Sequence, residues 1–114
     1  MEFSQLSDRA MQINQAFADR ARREGARPWT RGEIMQGFVG DVGDLMKLTM
    51  AKAGVRTAPG NLDARLAHEL SDCLWSVLVL AKLHGVDLEK EFPRTMDEIE
   101  AKLQRPDVQT PKKA

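Results

Sequence analysis

The sequence predicts an all-α fold, a four-helix bundle, and three observations predict it. Apolar residues recur every three to four positions in four segments. Turn punctuation at Gly25–Pro28, Gly54–Asn61 and Gly85–Asp87 separates those segments. No stretch alternates with a period of two, and no Asn-Gly or Asp-Gly pair marks a hairpin. Connections of roughly three to eight residues favour antiparallel neighbours.

The first helix is expected over about Ser4–Glu24. Leu6, Ala10, Ile13 and Phe17 form one narrow apolar stripe, with Asp8, Arg9, Gln12, Asp19 and Arg20 between them. The second begins with Thr30 and Glu33 in capping-box spacing, runs to about Ala53 and stops at Gly54. Its broad apolar face, expected to be buried, is Ile34, Met35, Phe38, Val39, Val42, Leu45, Met46 and Thr49. The third follows Asn61, a good N-cap, and runs to His84 before Gly85. There Leu66, Leu70, Cys73, Leu74, Val77, Leu78 and Ala81 share one broad face and are expected to be core. The fourth spans about Leu88–Leu103, its regular part expected to begin near Pro93, which has no amide donor. Residues 1–104 thus form one domain, and 105–114 a mobile tail with almost nothing to bury.

Composition narrows the function. The 114 residues carry 17 Lys plus Arg and 17 Asp plus Glu, so bulk positive charge for binding nucleic acid is absent. A single cysteine, Cys73, excludes an intramolecular disulfide and fits a reducing, cytoplasmic compartment. The amino-terminal stretch has no apolar core of a secretory signal, and no apolar run reaches the ~18 residues of a membrane span.

The chemistry lies in the acids. On the third helix Glu69 and Asp72 share a narrow sector with Ser76, Val79 and Leu83, bordered by Trp75 and Leu80. Acids in such an apolar setting are costly unless paired, protonated or bound to a cation. Asp41 and Asp44 repeat the i, i+3 arrangement at the edge of the second helix's apolar face. Gly37, Gly40 and Gly43 interrupt that helix at about 1 kcal/mol each relative to Ala, a cost offset if a ligand or a neighbouring backbone needs the room. Two such pairs on adjacent helices can converge four carboxylates across a cleft, a set of hard oxygens suited to Mg²⁺. An ordinary solvated or salt-bridged face gives the same spacing.

The segment Phe38-Val39-Gly40-Asp41-Val42-Gly43-Asp44-Leu45 resembles the motif of the MazG-like all-α nucleoside triphosphate pyrophosphohydrolases. That family pairs Glu-x-x-Glu on one helix with Glu-x-x-Asp on the next. Here the pairs are Asp41 with Asp44 and Glu69 with Asp72, separated by 24 intervening residues. The run from Glu69 to Ala81, followed by Gly85-Val86-Asp87-Leu88, is similar too, and Val39–Leu45 looks most like the dCTP pyrophosphatase branch. The resemblance covers about residues 29–103. It implies hydrolysis of a nucleoside triphosphate to monophosphate and pyrophosphate, in nucleotide-pool cleaning. Asp41, Asp44, Glu69 and Asp72 would then hold Mg²⁺, or Mn²⁺, as the catalytic and metal-binding set. It also implies a homodimer or homotetramer, which agrees with the unusually apolar third helix.

The departures from the family are specific. Aspartates replace both glutamates of the first pair, shortening each arm by roughly 1.5 Å. Thr95 and Ile99 stand where the dCTP branch has a substrate-holding lysine and asparagine, and Ala51 where it has a base-enclosing tryptophan. Adjacent Arg94 can supply the missing positive charge. Lys47, one turn after Asp44, is either a phosphate contact or a surface lysine paired with Asp44 or Glu33. Trp75 is either pocket lining that stacks on a base or part of a subunit interface. His68, four residues before Asp72, is either its hydrogen-bond partner or a plain surface residue. These departures also motivate an alternative, a catalytically inactive nucleotide-binding or protein-interaction module of the same fold.

Overall fold

The computed structural model describes residues 1–106, and what was expected of 107–114 in the tail lies outside them. It has four helices: α1 (Phe3–Arg23), α2 (Arg31–Lys52), α3 (Leu62–Leu83) and α4 (Leu88–Leu103). The all-α class and the four segments agree with the sequence, and among the described residues there is no strand. No described helix is long and apolar enough to cross a membrane.

The helix ends follow local chemistry. The backbone N–H of Glu33 donates to Thr30 Oγ1 at 3.2 Å, and Glu33 Oε1 accepts from the Thr30 N–H at 3.0 Å, which closes the expected capping box. Arg27 clamps the same carboxylate, and together these contacts pull the Glu33 carboxyl down to about 2. Asn61 Oδ1 accepts from the Ala64 N–H at 3.1 Å and starts α3. At the end of α2 the Val55 N–H reaches Met50 O at 2.9 Å and the Gly54 N–H reaches Ala51 O at 3.1 Å. That Schellman closure needs a left-handed residue, which Gly54 supplies at φ +78°. Lys52 and Asp63 pair at 2.5 Å across the loop that follows.

Pro93 departs from expectation. The helix begins at Leu88, capped by Asp87, and passes through Pro93. Its first turn is fastened from outside the proline: the Glu91 N–H donates to Asp87 O at 2.8 Å, so only the bond Pro93 itself would donate is lost.

Packing is uneven. α2 lies along α3 as the most extensive pair, α1 packs on α3, and α4 is only loosely attached, with no buried residue. The core is small: Ala10, Ile34, Leu78 and Val79, with Phe3, Met11, Trp75, Leu80 and Leu83 partly buried around it. Trp75 ties α3 to α1 by donating from Nε1 to Ala10 O at 3.1 Å.

The buried side of α3 coincides with the broad apolar face only at Leu78. Val79 is 0 % exposed and Ser76 2 %, while Leu70 and Leu74 are exposed. On α2 Ile34, Leu48 and Ala51 are buried, whereas Met35, Val39, Val42 and Met46 are exposed. Within one chain the sector carrying Glu69, Asp72, Ser76 and Val79 faces inward, and of the broad apolar faces only Ile34 and Leu78 are fully buried as expected. α3 must bury whichever side meets α2 and α1, and periodicity alone counts apolar residues without saying which neighbour they meet.

Candidate metal centre and its adjoining cavity

Asp41 projects from the middle of α2, and Glu69 and Asp72 lie one helical turn apart on α3. Because α2 and α3 pack along each other, the three carboxylates converge. One oxygen from each lies within 4.8 Å of the other two, and all three residues are partly buried. Oε2 of Glu69 is buried with no hydrogen-bond partner. A buried carboxylate oxygen without a donor is costly unless it is protonated or meets a cation.

The electrostatics agree with crowding. Burial, then the charges of Asp72 and Asp44, pushes the Asp41 carboxyl up, with His68 opposing. Burial, then Asp72, Asp41 and Asp44, pushes the Glu69 carboxyl up in the same way. Burial, then the charges of Asp41, Glu69 and Asp72, also raises the Cys73 thiol, which keeps it protonated and unsuited to nucleophilic attack. His68 Nε2 lies 3.1 Å from Asp72 Oδ2, so the histidine is a partner of the acid set.

The donor set fits a small divalent ion. Mg²⁺ holds oxygens at about 2.0–2.1 Å, which requires oxygen–oxygen separations no greater than about 4.2 Å. The observed arrangement is within about an ångström of that limit, a distance side-chain rotation can close. Asp44 is exposed and outside the three-residue group, although its charge reaches both Asp41 and Glu69. The fourth acid therefore joins the set by its field rather than by direct convergence.

Beside the acids lies a cavity of about 620 Å³. Ile13 and Phe17 of α1, Trp29 and Trp75 give it aromatic and aliphatic walls, and Asp41 and Asp72 belong to the same lining. Phe17 meets Trp75 edge to face, with ring centroids 5.8 Å apart at 77°. Phe17 was expected in a buried stripe, yet it is exposed and lines this space. The contribution of α1 was invisible in sequence because nothing there says which neighbour its stripe meets.

The remaining candidates are placed as follows. Trp75 lines the cavity. Lys47 is exposed, and neither expected ion-pair partner holds it, since Glu33 is taken by Arg27. Arg94 is held on α4 by Glu91 at 3.8 Å and Glu98 at 3.5 Å, and so is not gathered with the acids. Gly37 has a local reason: a Cβ there would lie 2.9 Å from Cζ3 of Trp29, whereas Gly40 and Gly43 face open space.

Comparison with protein-family models, with curated proteins and with solved structures finds no match in any of the three.

Proposed function

We propose that this chain is a Mg²⁺-dependent nucleoside triphosphate pyrophosphohydrolase, which splits its substrate into a nucleoside monophosphate and pyrophosphate. One observation carries the reading: Asp41, Glu69 and Asp72 converge from two helices, and two of them also line an aromatic cavity large enough for a nucleoside. The motif resemblance at Val39–Leu45 and Glu69–Ala81 points to the same chemistry.

In this reading Asp41, Glu69 and Asp72 hold the ion, and Asp44 contributes charge or a water-bridged contact. An ion held there would neutralise phosphate charge and acidify the attacking water. Trp75, Phe17 and Trp29 receive the base by stacking and keep water from that end of the substrate. A carboxylate of the set not fully committed to the ion is suited to accept the proton of the attacking water. The water oxygen bonds to the α phosphorus, and the bond to the α–β bridging oxygen breaks. Pyrophosphate leaves on that oxygen. Lys47, unpaired with either expected acid, is free to meet the departing phosphates.

The test is a panel of nucleoside triphosphates incubated with protein and Mg²⁺, with products identified. Pyrophosphate release that is abolished in Asp72→Ala is expected. No release from any triphosphate, with wild type no better than Asp72→Ala, would overturn the reading. The engagement of Arg94 by Glu91 and Glu98 favours the inactive-module alternative. Nucleotide-induced thermal stabilisation without pyrophosphate release is its signature.

A further inference from the structure

The cavity beside the acids is walled largely by apolar groups, so the few polar side chains in its lining decide what can enter. Most of them are already engaged. Asp41 and Asp72 belong to the metal centre. Arg20 and Glu24 hold each other at 3.1 Å. Ser71 donates from Oγ to Ala67 O of its own helix at 2.8 Å, and the Trp75 indole N–H donates to Ala10 O at 3.1 Å. Trp29 offers one indole donor and no acceptor. Asn14 is what is left: partly buried, in the lining, and with no side-chain hydrogen bond to any described residue. It stands three residues before Phe17 on α1, so its carboxamide lies one helical turn from the ring that meets Trp75.

We infer that Asn14 reads the edge of the base, and that the substrates are nucleotides whose base presents a hydrogen-bond donor beside an acceptor. The inference rests on the proposed function's placement of the base among Phe17, Trp29 and Trp75. α1 lies outside residues 29–103, which carry the motif resemblance, so the motif gives Asn14 no role. A carboxamide holds a carbonyl acceptor and an amino donor side by side in one plane. It pairs with the amino group and adjacent ring nitrogen of adenine. Turned over, it pairs equally with the carbonyl and ring N–H of uracil.

Stacking on the aromatic walls discriminates little, because every base has a π-face. Selection therefore falls to the edge. A base entering the cavity gives up water along that edge, and Asn14 is the group in the lining that can replace both a lost donor and a lost acceptor. A base without the pair leaves the carboxamide out of water and half bonded, a cost that the apolar walls do not relieve.

Quenching of tryptophan fluorescence by free nucleosides tests this on full-length protein, because nucleosides carry no phosphate and need neither metal nor turnover. Wild type is expected to bind adenosine roughly ten- to hundredfold more tightly than purine riboside, which lacks the amino donor. Asn14→Ala should bring the two affinities together. Asn14→Asp keeps the shape but presents two acceptors, so the ratio of guanosine to adenosine binding should rise, since guanine offers two adjacent donors. An Asn14→Ala chain that keeps the wild-type preference overturns the inference, as does an Asn14→Asp chain whose ratio does not move. Wild type that releases pyrophosphate from triphosphates yet shows no preference among nucleosides overturns it and leaves the hydrolytic reading standing. Wild type that shows the preference, lost in Asn14→Ala, without releasing pyrophosphate upholds Asn14 as the reader of the base and overturns hydrolysis alone.

Discussion

Asp41 of α2 and Glu69 of α3 bring carboxylate oxygens within 4.8 Å of each other, and the second oxygen of Glu69 is buried without a donor. Both carboxyls are raised by burial and by neighbouring acids, so charging them costs the folded state more than the unfolded one. Glu69→Gln is therefore expected to raise the melting temperature of metal-free protein at neutral pH. On the proposed function, Mg²⁺ should stabilise wild type by about 2.7 kcal/mol at a hundredfold excess over Kd, and the same variant should lose that gain. Differential scanning calorimetry with and without Mg²⁺ reads both effects. A fall in metal-free stability would mean that Glu69 has a partner in the fold.

The pH dependence follows in sign. Groups whose folded pKa is raised favour the folded state fully below their unfolded values, 3.8 for Asp41 and 4.5 for Glu69. That contribution is lost as pH rises through the raised folded values. Metal binding needs the deprotonated forms, so the Mg²⁺-induced shift in melting temperature should grow across the same rise and disappear at its acid end. Glu33 has the opposite sign in a lower window. Its folded value of about 2 gives stability that is present above 4.5 and lost as pH falls through about 2. Melts recorded above pH 4.5 therefore separate the acid set from Glu33.

Gly40 and Gly37 should respond oppositely to the same substitution. Nothing lies within 4 Å of a Cβ at Gly40, so Gly40→Ala should stabilise α2 by roughly 0.5–1 kcal/mol through helix propensity alone. Gly37→Ala places a methyl 2.9 Å from the Trp29 ring and must displace it. The expected outcome is a change in tryptophan fluorescence that is absent from a Trp29→Phe background, with no matching gain in urea midpoint.

Trp75→Phe removes the hydrogen bond to Ala10 O and should cost about 1 kcal/mol in urea unfolding. Phe17→Ala removes the edge-to-face contact, about 0.5–1.5 kcal/mol beyond lost burial. Because both act on one ring, the double variant should cost less than the sum. Full additivity would mean that the two residues do not share the cavity wall.

Local signals were legible in the sequence where they act within one segment. Thr30 with Glu33, Asn61, Gly54 and Gly85 mark the ends of α2 and α3 because capping involves residues three to five apart. The pairing of Asp41 with Glu69 and Asp72 was legible too, since i, i+3 spacing fixes a helix face and the short α2–α3 loop sets the neighbours. Asp44 was read as a fourth ligand, but its side chain is exposed and lies outside the three-residue group. The buried side of each helix was legible only in part: Ala10, Ile34 and Leu78 are buried as their spacing predicts. Leu70, Leu74, Val39 and Val42 have the pattern of a core and are exposed, because hydropathy records what must leave water, not whether the same chain covers it. Pro93 misled for a simpler reason: one missing donor is tolerated when the preceding turn is already closed by Asp87.

The interior assembled around Val79 is thin for a chain of this length. If much of the apolar surface leaves water only when two chains meet, acquiring structure and acquiring a companion become a single event. Thermal midpoints should then climb with protein concentration, and dilution alone should act as a denaturant.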